Sequence, residues 1–508
     1  MLFNSFEFIF LFLPITLFVF FFIGNRNKHQ VAMSWLVLSS LFFYGWWNPA
    51  YLGLILFSML FNYAFGTMLS NGEKPKIRKY LLWIGVTTNL GFLGYFKYAN
   101  FFVDQLNWAA NSTFHLEKIL LPLAISFFTF QQIAFLVDSY RHETKEFNFL
   151  QYCLFVTFFP QLIAGPIVHH KEMMPQFASN KIYKVNYEAL AIGLIIFTIG
   201  LFKKVILADG VAVYATPIFA EAEAEIAITL FSAWGGALAY TLQLYFDFSG
   251  YSDMAIGIAL MFGINLPINF NSPYKSQSII EFWRRWHITL SRFLRDYLYI
   301  TLGGSRKGNI RRYVNLFITM LLGGIWHGAG WSFIIWGMLH GTYLMINHAW
   351  RKLRFDILKL NLKVGFIESF FARTLTLLAV IVGWVYFRAE TIHGANNIIY
   401  SMFGGNGISL PTNLEVIFGN SFANFGITFD GMFNGTTAKM GAGIKWIILL
   451  LILALYSPNC QQIIEYKYQK SNIKSNLQIS IIGMTTGILL YYIFTKLSSD
   501  AEFLYFNF

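Results

Sequence analysis

The sequence predicts an all-α, polytopic membrane protein of about 11–13 transmembrane or re-entrant helices. Three observations carry that expectation. Of the 508 residues, 56% are hydrophobic and only 12% charged, against roughly 25% charged in a soluble protein. Apolar runs close to the ~20 residues that cross a bilayer recur along the whole chain. Loops rich in Lys and Arg alternate with loops poor in them, the pattern of the positive-inside rule. The formal charge of +12 belongs to those loops. No basic patch interleaved with aromatic residues lies elsewhere, which argues against a nucleic-acid partner. The 19% aromatic content, with 56 Phe, suits lipid-facing surface and interfacial belts. Two cysteines, Cys153 and Cys460, lie far apart and form no Cys-x-x-Cys spacing, so neither a zinc site nor a disulfide framework is suggested.

The first apolar run ends at Gly24. Its leading segment holds Glu7 and no Lys or Arg, unlike the basic start of a signal peptide. It reads as a retained first span with the N-terminus outside. Arg26 and Lys28 follow, as expected of a cytoplasmic loop. Further spans are expected at 32–48, 51–70, 80–97 and 118–137. The loop 71–79 carries Lys74, Lys76, Arg78 and Lys79 and belongs in the cytoplasm, whereas 98–117, poor in cations, belongs outside.

Pro160, Gly165 and Pro166 then interrupt an apolar segment that ends at His169 and His170. Broken backbone at membrane depth is tolerated only inside protein or along a cavity, so a re-entrant segment is expected, with the two adjacent histidines as interfacial polar residues. A span at 188–206 should end near Lys203-Lys204, and another at 228–246 follows; the side of the acidic stretch 207–225 stays open. The run Tyr245-Phe246-Asp247-Phe248-Ser249-Gly250-Tyr251-Ser252-Asp253 is too polar for lipid contact and reads as cavity lining. Tyr245, Asp247, Ser249 and Asp253 are candidates there, with Asp247 and Asp253 either part of the chemistry or salt-bridge partners.

The stretch 273–312 is the most basic, with nine Lys and Arg against Glu281 and Asp296. It belongs in the cytoplasm. Within it, Phe282-Trp283-Arg284-Arg285-Trp286-His287 reads as the start of an amphipathic or partly inserted helix. Its arginines either cradle an anionic donor or face lipid headgroups. Next, His327 sits in apolar sequence over 313–350, among Gly323, Gly324, Gly328 and Gly330. An ionisable side chain at membrane depth is costly and marks a functional candidate; the alternative is a hydrogen-bonded histidine that ties two helices together. Glycines let the backbone break and a ligand approach closely, and Trp326 and Trp331 would supply walls. His340 follows, with the same two readings. Arg351, Lys352 and Arg354 mark another cytoplasmic loop. A span at 371–387 runs into Arg388, 404–443 reads as a long outside loop, and spans at 444–457 and 478–496 flank Lys467, Lys470 and Lys474. That leaves the C-terminus outside.

Taken together these motifs resemble the membrane-bound O-acyltransferases, in the bacterial branch that includes the alginate O-acetyltransferase membrane subunit. The resemblance rests on residues 3–14, on Phe159-Pro160-Gln161-Leu162-Ile163-Ala164-Gly165-Pro166-Ile167, on Met173-Met174-Pro175-Gln176-Phe177, on the 245–253 run, on Phe282-Trp283-Arg284-Arg285-Trp286-His287 and on Trp326-His327-Gly328. It implies one integral-membrane domain over 1–508: N-terminal helices to 140, a catalytic core over 149–390, and an outside loop with C-terminal helices over 391–508. It further implies a tunnel crossing the membrane, with His327 as the catalytic histidine and His287 at the second active-site position.

Acyl transfer to a hydroxyl needs a base that accepts a proton near neutral pH, which an imidazole of pKa about 6.5 provides. His327 would take that proton, and His287 would orient it or steady the oxyanion. Trp283, Arg284, Arg285 and Trp286 complete the candidate substrate-binding set. No G-x-S-x-G elbow supports a serine hydrolase, and no carboxylate or cysteine stands at ligand spacing beside the histidines, so no metal is expected. The expected donor is acetyl-CoA or another acyl thioester, with no bound cofactor. The expected acceptor is an extracytoplasmic polysaccharide or the serine of a periplasmic esterase-like acetyltransferase partner, with lipid around the protein and the bacterial cytoplasmic membrane as its place. An acyltransferase acting on lipid or protein is the alternative, as is a transporter, although no paired inverted repeat is visible.

Overall fold

The computed structural model describes residues 1–144, 148–360, 365–417, 427–433, 440–465, 476–497 and 503–504. Among them the chain is helical apart from one short parallel pair, β1 (Ile408–Ser409) on β2 (Ile427–Thr428). The helices run in order: α1 (Phe8–Gly24), α2 (His29–Gly45), α3 (Tyr51–Asn71), α4 (Pro75–Ala110), α5 (Ile125–Tyr140), α6 (Phe149–Thr157), α7 (Phe159–Leu162) and α8 (His170–Phe177). They continue with α9 (Tyr187–Glu223), α10 (Leu230–Met261), α11 (Ile279–Trp283), α12 (Ile288–Phe293), α13 (Asn309–His327), α14 (Trp331–Arg351) and α15 (Phe366–Arg388). Last come α16 (Ile392–Met402), α17 (Met440–Tyr456), α18 (Cys460–Ile464) and α19 (Asn476–Phe494). By length and composition α3, α9 and α15 can each cross a membrane, and α1, α17 and α19 contain shorter apolar stretches.

The chain divides into two compact units, each drawn from separate stretches. The first comprises Met1–Phe202, Gly250–Asn269 and the described residues from Ile464 onward. Here aromatic rings fill the space between helices: Phe12 and Phe43 pack on Phe159 at 5.2 and 5.4 Å. The Trp35 indole N–H donates to the Thr16 carbonyl, pinning α2 to α1. Asn62 and Asn89 exchange amide hydrogen bonds at 3.1 and 2.7 Å between α3 and α4, since a buried polar group needs a partner. The segment after α6 breaks as expected, but His170 is buried between Phe135 and Phe155 rather than interfacial. The first part of α9 lies against the last part of α10 along a glycine seam. A Cβ at Gly193 would stand 2.6 Å from the Gly257 carbonyl oxygen, and one at Gly200 as close to that of Gly250.

The second unit comprises Lys203–Ser249 and Phe270–Ile463. The expected end of a span at Lys203-Lys204 is corrected here. Helix α9 continues through a π-helical turn at Lys203–Ala208 to Glu223, 37 residues in all. Lys204 is 3% exposed and bonds Asp247 at 2.7 Å and Asp209 at 2.8 Å. A buried cation with two carboxylates is a packing element, not the flank of a loop. The expected loop at 404–443 begins after α16 and includes β1 and β2; its residues 418–426 and 434–439, Lys439 among them, lie outside the described residues, as do Lys467, Lys470 and Lys474.

Candidate active site

The site is built on a helical hairpin. Helix α13 ends at His327, the chain passes through Gly328-Ala329-Gly330, and α14 starts at Trp331. The glycines matter for contact rather than for turning, because Gly328 and Gly330 are extended. A Cβ on Gly337 would stand 2.6 Å from the Met320 carbonyl oxygen, and one on Gly324 would stand 2.9 Å from Gly337 Cα. With Gly341 one turn on, Gly337 forms a G-x-x-x-G face that lets two helix backbones touch.

That packing delivers His327, buried, at the tip. Its ring stands 4.9 Å from Trp326, 5.0 Å from Trp336 of α14 and 5.1 Å from Phe387 of α15. Trp336 also touches His340 at 4.8 Å and stacks on Trp384 at 6.0 Å. The Trp283 indole N–H donates to His340 Nδ1 at 3.3 Å. That bond leaves the proton of a neutral imidazole on Nε2, which faces Gly383 so closely that a Cβ there would be 2.8 Å away.

His287 is held differently. The amphipathic helix expected to start with Phe282–His287 and run on is corrected: α11 stops at Trp283, and α12 starts at Ile288. His287 lies between them with φ 41 and ψ 55, left-handed and 0% exposed. Its ring meets Phe248 edge-on at 4.8 Å and Phe270 at 6.5 Å. Trp286 bridges the two surrounds, 5.0 Å from Phe270 and 4.8 Å from Trp384.

Beside Trp283 opens a cavity of about 500 Å³ lined by Arg284, Arg292, Arg295 and His348 together with apolar side chains. It reaches along α13 to Thr319 and Met320, the latter seven residues, roughly 10 Å at 1.5 Å per residue, short of His327. Arg285 instead bonds Glu281 at 2.8 Å and donates to the Asn271 carbonyl. Nearby, burial, with Arg285 and Arg373 adding to it, holds the Lys275 ammonium below its usual range. The charge here is positive and attracts an anion.

Of the remaining candidates, Tyr245, Asp247 and Ser249 are buried in the same unit as the histidines. Asp247 is the ion-pair partner of Lys204, the salt-bridge alternative left open by its residue type. Asp253 is buried on the part of α10 that belongs to the first unit. Trp331 departs from the wall expected beside His327: it is 50% exposed. Trp336, Trp384 and Phe387 carry much of the enclosure and escaped sequence reasoning, because aromatic residues are too common here to stand out. Among the described residues no three His, Cys, Asp or Glu side chains gather as a metal site.

Comparisons with known proteins bear on this geometry. The family model for MBOAT, the membrane-bound O-acyltransferase family, matches residues 77–358. The chain is 42% identical to a peptidoglycan O-acetyltransferase of Helicobacter pylori over 100% of its length and 98% of the relative's. It is 45% identical to the probable alginate O-acetylase AlgI of Pseudomonas putida, over 79% of this chain and 80% of that one. A teichoic acid D-alanyltransferase of Streptococcus thermophilus is 31% identical over 49% of this chain and 62% of its own.

Proposed function

Because this chain belongs to the membrane-bound O-acyltransferase family, we propose that it moves an acetyl group from a cytoplasmic thioester to a hydroxyl of an extracytoplasmic polysaccharide. His327 is the base. The observation that carries the reading is the buried His327 at the tip of its hairpin, walled by Trp326, Trp336 and Phe387.

His327 accepts the proton of the acceptor hydroxyl as the oxygen attacks the thioester carbonyl. A C–O bond forms, the tetrahedral oxyanion collapses, and the C–S bond breaks. The departing thiolate takes the proton from the imidazolium and leaves His327 neutral. His287 steadies the oxyanion or orients His327. The arginine-lined cavity supports the anionic thioester, acetyl-CoA or another, as donor. Helix α13, with 19 residues, runs about 27 Å from the basic end to His327, close to the ~30 Å of a bilayer's hydrocarbon core. The charge pattern supports the basic end as cytoplasmic, with both termini outside and the protein in the bacterial cytoplasmic membrane. The names of the H. pylori and P. putida relatives support a cell-envelope polysaccharide as acceptor. A serine on a periplasmic esterase-like partner is the relay that would carry the acetyl group onward.

The two-sided reaction is tested by cysteine labelling after Cys153 and Cys460 are replaced by Ser. Ser305 and Glu225 are both exposed. Glu223, two residues before Glu225, bonds the backbone of Glu390 and Thr391 just past α15. That is the end of the helix opposite the basic loop 351–354, which supports an outside position for the stretch whose side the sequence left open. A membrane-impermeant thiol reagent on intact cells is expected to modify Glu225→Cys and to reach Ser305→Cys only after permeabilisation. Labelling of Ser305→Cys in intact cells would overturn the orientation and with it the donor's entry.

A further inference from the structure

We propose that the indole N–H of Trp336 is a catalytic hydrogen-bond donor to the oxyanion that forms when the acyl carbonyl is attacked beside His327. This rests on the acyl-transfer reading of His327. Trp336 is 1% exposed, and its ring meets that of His327 edge-on at 5.0 Å. Its Nε1–H is buried and has no hydrogen-bond partner among the described residues.

The indole is locked by its neighbours. Its ring stands 4.8 Å from His340, 5.3 Å from Phe387, 5.8 Å from Trp283 and 6.0 Å from Trp384. His340 is itself fixed by the Trp283 N–H on its Nδ1. A donor held this way needs no reorganisation when charge develops. A Cβ on Gly383 would stand 3.6 Å from Trp336 Cδ1. The pyrrole edge, which carries the N–H, therefore faces inward against α15.

A buried donor without an acceptor is costly, so its persistence needs a reason. Trp384 Nε1 and His340 Nε2 are two more in the same ring cluster. Of the three, Trp336 is the one whose ring touches, among the described residues, both His327 and Trp283, and Trp283 lines the arginine-rich cavity. A thioester whose carrier lies in that cavity and whose carbonyl faces His327 passes Trp336.

Trp336 acts on charge and transfers no proton. As the acceptor oxygen bonds to the carbonyl carbon, the C=O π pair moves onto the carbonyl oxygen and the hydroxyl proton goes to His327. Trp336 donates a hydrogen bond to that oxyanion and keeps its own proton, since an indole N–H is a donor only. When the C–S bond breaks, the pair returns to re-form C=O and the hydrogen bond weakens. The donor thus favours the tetrahedral state over both the thioester and the ester, which raises turnover without tightening donor binding. Oxyanion holes are commonly built from more than one N–H, so His287 in its oxyanion role is a companion to Trp336.

The test uses washed envelopes of a strain lacking the gene and carrying the full chain, with acetyl-CoA as donor and ester-linked acetate as readout. Two variants remove the N–H. Trp336→Phe keeps an aromatic ring, and β-(3-benzothienyl)alanine at position 336 keeps the indole's shape with sulfur in place of the N–H. Both are expected to lower kcat about 10²-fold. The KM for acetyl-CoA should stay within about twofold, and the melting temperature should not change. The loss should be equal at every pH, because the indole does not titrate. Normal kcat in the benzothienyl variant would overturn the role even where Trp336→Phe is slow, since ring packing would then account for the loss. A shifted pH optimum would overturn it too, by making Trp336 act through the His327 imidazole. Where Trp336→Phe melts early, the benzothienyl variant decides. His327→Ala separates the two readings. Wild-type rates in His327→Ala would sink the acyl-transfer reading, whereas an inactive His327→Ala beside fully active Trp336 variants would sink the oxyanion donor alone.

Discussion

His327 and His287 are both buried imidazoles walled by aromatic rings, yet the chain holds them by opposite means. His327 ends a regular helix, and its position follows from the glycine face on which α13 and α14 touch. His287 sits in the break between two short helices, in a left-handed conformation that costs a non-glycine residue about 1–3 kcal/mol. Such a conformation persists only where its surroundings impose it, here Phe248, Phe270 and the two flanking helices. The difference teaches what each position is for. A helix end sets distance and depth, which a base needs to meet two substrates. A strained turn sets direction, which a hydrogen-bonding group needs to meet one developing charge.

The comparison breaks first at the hairpin. Gly337→Leu places branched bulk where a Cβ is already 2.6 Å from a backbone oxygen. Overpacking of this kind costs about 1–3 kcal/mol, and more where the clash is with backbone; the expected result is a lowered melting temperature and loss of transfer together. Full activity in that variant would show that His327 does not depend on helix contact. The turn gives a smaller effect. His287→Ala is expected to slow transfer about 10–100-fold, less than loss of a general base. His287→Asn sharpens the contrast further, because Asn tolerates the left-handed region and still donates a hydrogen bond. It should fall within about tenfold of the wild type. An Asn variant no better than Ala, with equal melting temperatures, would remove the hydrogen-bonding role.

Much of this was legible in the chain, and the gaps have physical causes. Spans expected at 51–70, 371–387 and 478–496 lie within α3, α15 and α19 or a few residues of them, because length and apolarity alone define a crossing. The break near His327 was announced by its glycines. Lys204 misled, since a cation after an apolar run looks like a flank, and the Asp247 that buries it lies 43 positions on. The break at His287 carried no glycine or proline to reveal it. The seam of Gly193 and Gly200 against Gly250 and Gly257 does leave a signal, a seven-residue spacing repeated in two helices.

The central claim is that His327 is the base for acetyl transfer to an envelope polysaccharide. The most direct measurement is ester-linked acetate in each envelope polymer of a strain lacking the gene, carrying wild type or His327→Ala at matched membrane abundance and melting temperature. The account predicts that one polymer loses its acetate on deletion, that wild type restores it, and that His327→Ala transfers about 10²–10⁴-fold more slowly. Acetylation restored to the wild-type level by His327→Ala would contradict the claim.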